Sequence, residues 1–446
     1  MPAPTAPPHA YPADLARFVF ERLRARDGDA PDDQFCCAGI TLPALERLLS
    51  TVYQATLLRE EERPVTFRLV LGPPEAFPPE GGPPSGLHRL ELTAPRPFTE
   101  YELRRLSPAA PYARSLIGVR RVRHVDNDDF AIWGILQSGP LWLRSAIGGR
   151  GVPSDLPPPA LVVRASAPGR ITVARAGSVI GELRGGRLFG PSMDVFASRW
   201  LAALFAESRQ ELIALHAEAE RQATTPWAPL DPDLTRLISQ QMVKRIISTV
   251  QVARHGGTVI VLPPEATEAM LSDGRFVRLK YRFTEGEPRR RYRSLILSIL
   301  RTLAETTPPE EGPADWGTYE QSRSPDIAIL DEAVFEMSRL IAGLADVDGA
   351  VVMTKRFEVL GFAGEIIGGP VELSTVRRAL DLEGARYELE PVDRVGTRHR
   401  SAYRLCEEIH DAVVIVISQD GGVRFVAWND GAVTYWDHVP AGARSA

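Results

Sequence analysis

Two short segments hold the residues best equipped for chemistry. Asp348-Gly349-Ala350 lies where a helical pattern gives way to an apolar, strand-like run. Gly396-Thr397-Arg398-His399-Arg400 follows 48 positions later (396 − 348) and opens a second helical pattern. A carboxylate such as Asp348 can bind a divalent cation or orient a hydroxyl. Gly349 lets the backbone bend and approach a ligand closely. Arg398 and Arg400 offer planar donors that match phosphate bidentately, and His399 between them can ligate a metal or donate to a phosphate oxygen. Thr397 and the unpaired amides of a helix start favour anions. A third segment, Ser418-Gln419-Asp420-Gly421-Gly422, ends the apolar run Ala412–Ile417. Polar groups at the carboxyl end of a buried strand are where α/β sheets bind ligands; Ser418 suits a phosphate and Asp420 a metal. Each segment alone also reads as an ordinary turn. Together they suit a nucleoside triphosphate.

The elements that must position these residues are legible in the pattern. In the second half a helical period over Leu234–Ala253 leads to His255-Gly256-Gly257, read as the start of the buried strand Thr258–Leu262. A helix over Ile327–Leu344 feeds a strand Ala350–Met353, and a further strand is expected near Val359–Ile367. The basic loop is expected to open a helix Ser401–Ile409. Val423–Trp428 and Ala432–Trp436 form a hairpin about Asn429-Asp430-Gly431, a favourable turn sequence. Strands alternating with helices argue for an α/β core.

The first half differs. After a Pro-rich leader, residues 1–12, come helical patterns over Asp14–Arg24 and Leu42–Leu58, then an alternating strand Val65–Leu71 and a Pro/Gly-rich loop from Pro73 to Pro84. Short strand-like runs follow: Phe130–Leu136, Leu141–Ser145, Ala160–Ala165, Arg170–Ala174 and Ser178–Leu183, with turns expected at Ala176-Gly177 and Gly185-Gly186. A helix from about Asp194 to Arg221 is expected to close this β module. The domains expected are thus an α+β N-terminal module over 13–225 and an α/β domain over 231–437, a mixed β-sheet flanked by helices. Inserts are placed near 275–326 and 368–391. The run Arg289-Arg290-Arg291-Tyr292-Arg293 reads as a solvated helix start.

Bulk properties bound the rest. The chain has 446 residues, enough for two or three domains. Its 44% hydrophobic and 24% charged content are those of a soluble globular protein. A formal net charge of −5 supplies no basic field for nucleic acid or anionic membrane. Cys36, Cys37 and Cys406 cannot build a disulfide framework, which fits a reducing cytoplasm. No secretory signal pattern and no membrane-length apolar run is present.

The order of these segments resembles the diadenylate cyclase family. The matching residues are Asp348, Gly349, Ala350, Gly396, Thr397, Arg398, His399, Arg400, Ala402 and Ser418, within roughly Asp231–Asp437. The resemblance implies condensation of two ATP into cyclic di-AMP with release of two pyrophosphates, using Mg²⁺ or Mn²⁺. It implies at least a face-to-face homodimer, each domain holding one ATP. On this likeness Asp348 helps hold the metal and activate the 3′-hydroxyl. Arg398, His399 and Arg400 bind the triphosphate, and the backbone at Gly349 and Ala350 borders the nucleotide. His399 and Asp420 are further metal candidates. The chain departs from common members at Val347, where they carry His, and at Gln419-Asp420, where they carry two Glu. The N-terminal module resembles the sensor modules attached to some bacterial cyclases, here with an unidentified effector. The rival reading is a cyclase-like domain that binds ATP or a cyclic nucleotide without turnover.

Overall fold

The computed structural model describes residues 9–26, 40–78, 82, 87–112, 114–123, 128–138, 160–175, 178–190, 193–253, 255–264, 271, 276–367, 373–419 and 421–438. Asp420, Cys36, Cys37, the expected strand Leu141–Ser145 and the expected turn Ala176-Gly177 lie outside the described residues. The fold is mixed α/β, with two large mixed sheets and packed helices. The chain forms two compact units, one running to Ser192 and the other spanning Met193–Pro440.

The first unit is built on an eight-stranded sheet ordered β10-β9-β8-β7-β3-β5-β6-β4. Its strands are β3 (Phe67–Leu71), β4 (His88–Pro97), β5 (Ser115–Arg123), β6 (Asp128–Gln137), β7 (Leu161–Ala167), β8 (Arg170–Arg175), β9 (Ser178–Arg184) and β10 (Arg187–Phe189). A small separate ladder pairs β1 (Arg59–Glu60) with β2 (Arg63–Pro64). All pairings in the large sheet are antiparallel except β3 with β5. The helices Pro12–Arg26, Leu42–Thr56 and Glu100–Leu106 lie on one face, where Leu15, Val19, Leu45, Leu49 and Leu103 meet Phe67, Leu69 and Leu71. Leu42–Thr56 begins cleanly because the Thr41 hydroxyl accepts from the Ala44 amide at 3.3 Å. Strand β4 is an edge strand whose residues face solvent almost throughout. It was invisible in the pattern because Pro95 and Pro97 argue against a strand. An edge tolerates them, and the register breaks between Glu91 and Arg96.

The second unit is built on a nine-stranded sheet ordered β12-β14-β13-β11-β17-β18-β19-β15-β16. Here β11 is Gly257–Leu262, β12 Val277–Arg282, β13 Ala350–Thr354, β14 Val359–Ile366, β15 Thr375–Ala379, β16 Tyr387–Pro391, β17 Val413–Ile417, β18 Val423–Asn429 and β19 Ala432–His438. Strands β11, β13 and β17 are buried at every position, which explains their unbroken Val/Ile runs. The helices Leu234–Ala253, Glu287–Thr306 and Pro325–Leu344 cover one face, and Thr397–Glu408 packs Ala402, Tyr403, Leu405 and Cys406 on the other. The β18–β19 hairpin turns at Asp430 and Gly431, both at positive φ (46° and 84°), as a tight two-residue hairpin requires.

Four expectations are corrected. The segment after Asp194 does not close the first unit. It forms a short 3₁₀ turn, Val195–Ala197, and two helices, Arg199–Leu204 and Ala206–Arg221, whose Val195, Phe196, Leu201 and Leu212 belong to the core of the second. Residues 275–326 are no peripheral insert: Tyr292, Leu295, Ile296, Ile299, Leu300, Leu303 and Tyr319 are buried in that same core. Likewise β15 and β16 extend the sheet at its far edge, β15 pairing in parallel with β19. Finally, the basic run does open a helix, Glu287–Thr306, but only part of it is solvated: Arg290 and Arg291 are exposed, whereas Arg289 and Arg293 are half-buried. Tyr292 is buried, Arg290 pairs with Glu358 at 3.0 Å, and Arg293 pairs with Glu211 at 3.1 Å.

Candidate functional site

Strand register brings the motif segments to one end of the nine-stranded sheet. β11 and β13 are parallel, with Val259 opposite Val351, so their starts at Gly257 and Gly349 fall level. β17 runs antiparallel to β11 with Ile417 opposite Gly257, so its end at Ser418 reaches the same edge. Asp348-Gly349-Ala350, His255-Gly256-Gly257 and Ser418 are therefore neighbours through three adjacent strands. Each lies at the terminus of a fully buried strand, where the chain leaves the core and polar side chains can meet a ligand.

The glycines here are dictated by geometry. Gly349 has φ +114°, and a Cβ there would lie 2.8 Å from the backbone of Ala363. Gly256 has φ +70°, and a Cβ there would lie 2.9 Å from the Ile417 carbonyl and 3.0 Å from Arg398 Nη1. That second contact carries Arg398, from the helix Thr397–Glu408, to the common end of β11 and β17.

The helix starts earlier than its sequence suggested. Thr397, Arg398, His399 and Arg400 form its first turn instead of a loop before it, with Gly396 as N-cap. The His399 and Arg400 amides both donate to the Gly396 carbonyl, at 3.1 and 3.2 Å. Gly396 supplies no side-chain cap, and among the described residues nothing lies within 4 Å of where its Cβ would be. The start of this helix is thus open, with its dipole available to an anion. Arg398 is exposed, His399 and Arg400 are half-buried, and Arg400 Nη2 lies 3.5 Å from Thr397 Oγ1. Asp348 is exposed.

Ser418 is tied into a turn. Its amide donates to the Gly422 carbonyl at 2.8 Å and its carbonyl accepts from Gly421 at 2.9 Å. The turn reading of this segment therefore holds for the backbone of Ser418, Gly421 and Gly422, and the Ser418 side chain is half-buried.

Sequence reasoning missed three contributors. His255 Nδ1 lies 3.4 Å from Asp346 Oδ1, two residues before Asp348. Gln251 Nε2 donates to the Gly421 carbonyl at 2.7 Å, tying the helix Leu234–Ala253 to the turn after Ser418. Gly256 supplies the space beside Arg398. The available signal was His-Gly-Gly at the start of an apolar strand, which was read as structure alone.

Among the described residues no group of three or more His, Cys, Asp or Glu could hold a metal ion. Asp348 presents an exposed carboxylate, and Mg²⁺ commonly takes one or two carboxylates together with phosphate oxygens. An apolar cavity of about 60 Å³ lies elsewhere in the unit, lined by Phe196, Phe205, Leu212, Val243, Met353 and Phe425 among others, and no motif residue borders it. Among the described residues no helix is long and apolar enough to cross a membrane.

Residues 41–137, in the first unit, match a protein family described as "Probable sensor domain DACNV". No curated protein and no solved structure matches the chain. The match supports a sensor-regulated protein associated with diadenylate cyclases, and it lies outside the second unit.

Proposed function

We propose that the second unit is a diadenylate cyclase governed by the N-terminal sensor module. The observation that carries this reading is the meeting of Asp348-Gly349, Ser418 and Arg398 at one end of β11, β13 and β17. The N-terminal family match raises its weight from a second direction.

In the proposed reaction the 3′-oxygen of one ATP attacks the α-phosphorus of the other. The O3′–P bond forms, the bond from that phosphorus to the bridging oxygen breaks, and pyrophosphate leaves. The same step in the opposite sense closes cyclic di-AMP and releases the second pyrophosphate. Two copies of the chain must face each other, so each half-site contributes one ATP. Asp348 orients the attacking 3′-hydroxyl and accepts its proton as the O3′–P bond forms. Arg398 and Arg400 hold the triphosphate, with His399 donating to it and the open amides at Gly396 and Thr397 adding to the anion field. The backbone at Gly349 and Ala350 borders the nucleotide, and Ser418 donates to a phosphate oxygen. A divalent cation, Mg²⁺ or Mn²⁺, would neutralise charge on the leaving pyrophosphate when bound at Asp348. His399 is a metal ligand as the alternative to its donor role, and Asp420, a further metal candidate by sequence, lies outside the described residues. Most of the catalysis is then positioning and electrostatics.

Incubating the full chain with ATP and Mn²⁺ or Mg²⁺, followed by mass spectrometry, tests the proposal. Cyclic di-AMP is the expected product. ATP binding with no product would favour a nucleotide-sensing domain without turnover, and neither binding nor product would remove both readings.

A further inference from the structure

Among the described residues of the first unit, one buried arginine has no acid beside it and leaves two of its nitrogens without a hydrogen-bond partner. Arg68 sits on β3 at 2% exposure. Its neighbours in sequence, Phe67 and Leu69, face the helix-covered core. Alternation places Arg68 on the other face of the sheet, together with Val70. Among the described residues no acceptor reaches its Nε or Nη2.

The surroundings make the charge more costly. β3 pairs with β7 so that Arg68 lies directly opposite Arg164, whose Nε is likewise buried without a partner. Like charges directly opposite on one sheet face repel. The row continues across β8 and β9 through Thr172 and Glu182. Glu182 is the acid of that row, and it is bound to Arg170 at 2.6 Å. It also stands three strands from Arg68, roughly 14 Å at the usual strand spacing. Half-buried Tyr112 borders the pair, its ring centre 6.0 Å from the Arg68 guanidinium carbon. Burial, with Arg164 adding to it, pushes the Arg68 guanidinium down to about 10.

Folded proteins rarely keep a buried guanidinium beside another with no counter-charge. We propose that Arg68 and Arg164 form the anion-binding end of an effector site in the N-terminal unit, taking a phosphate or carboxylate group between the two guanidinium planes. Two planar donors on adjacent strands suit the oxygens of one such group. Directly along the same face, Val70 opposite Val162 begins an apolar cluster with Trp133 and Leu136, so the anion site has an apolar border. The inference gives the sensor match a ligand class. It does not depend on what the second unit catalyses, and its failure would leave that proposal standing.

The test uses the full chain, thermal unfolding and titration calorimetry, with sodium orthophosphate and sodium acetate compared against chloride at equal ionic strength. A saturable rise in melting temperature with one of the two ions is expected, and which ion does so separates a phosphate from a carboxylate effector. Arg68→Leu should weaken that response by ~10-fold or more, the scale of a lost charge-assisted contact. In chloride alone it should melt no lower than the natural protein. Arg164→Leu should show the same pattern. Arg398→Ala, measured alongside, removes any phosphate held by the second unit; the part of the response that survives it and is lost in Arg68→Leu belongs to the first unit. A response undiminished by Arg68→Leu, or no saturable response to either ion, would overturn the proposal. So would an Arg68→Leu chain that fails to fold, because the guanidinium would then be structural.

Discussion

Arg245 and Arg68 are both almost wholly buried, one in each unit, and among the described residues both leave Nε without a hydrogen-bond partner, yet only Arg245 has an acid beside it. Arg245, on the helix Leu234–Ala253, donates to Asp331 at 2.5 Å, and the Tyr319 hydroxyl donates to the same carboxylate oxygen at 2.6 Å. Its guanidinium also lies over the Phe335 ring, 4.0 Å from the centre. Arg68 faces a second arginine instead of an acid. The difference separates a charge that fastens helices together from one that is left for a ligand. It also matches the division of labour proposed for the two units: one holds a fixed frame for chemistry, and the other holds a vacancy in charge that an effector can fill.

The comparison is most easily broken at Asp331. Asp331→Ala strands Arg245 in the core and should cost about 3–5 kcal/mol, measured by urea unfolding. A loss below about 1 kcal/mol would mean that Arg245 is no better satisfied than Arg68, and the contrast would fail.

A second probe is acid. His438 is buried in the second unit, and its Nδ1 accepts from the Val195 amide at 3.3 Å. Burial pushes its pKa from 6.5 down to about 4, with Asp194 opposing and Lys244 assisting. As pH falls below 6.5 the unfolded chain takes up a proton that the folded chain refuses. Stability should therefore drop between pH 6.5 and about 4, by roughly 3 kcal/mol in all, and level off below. His438→Asn keeps the acceptor and should flatten that part of the profile. An unchanged profile would assign the acid sensitivity to another group.

Arg398→Ala should weaken ATP binding by about 10- to 100-fold, the range of a lost charge-assisted hydrogen bond, without lowering the melting temperature. This exposed arginine would thus behave unlike the buried Arg245–Asp331 pair, whose disruption is expected to weaken the fold. Gly396→Ala sharpens the same distinction with the smallest effect on folding. Space is open around the absent Cβ and φ is −67°, so stability should change by less than about 0.5 kcal/mol. Any larger loss of ATP affinity then reports a ligand approaching that backbone.

How far the sequence could be read follows from where each residue is buried. β11, β13 and β17 are buried on both faces, so their Val/Ile runs stood out and the segments beside them could be found. The helix Leu234–Ala253 matched its expected bounds and buries Ile238, Met242, Ile246, Ile247 and Val250 of its apolar period, while Leu237 is only half-buried and Arg245 and Gln241 are buried with them. The boundary between units was misplaced because an amphipathic helix shows that it packs but not against which sheet. Edge strands β4, β12 and β16 escaped notice for a related reason. Their exposed residues carry charge and proline where a core strand would carry Val or Ile. Among the motif residues, types and order were visible, but the shared edge of the sheet depends on register between strands about 90 and 160 residues apart. Arg68 was passed over inside the strand Val65–Leu71, since one arginine in an alternating strand ordinarily faces solvent.

The cyclase reading rests most directly on Asp348. The decisive measurement compares the natural chain with Asp348→Asn for ATP affinity and for cyclic di-AMP produced in a single turnover with Mn²⁺. Retained ATP binding and folding with product lost by ~100-fold or more is the result expected of a group acting on the attacking hydroxyl. Equal product from both proteins would contradict the account.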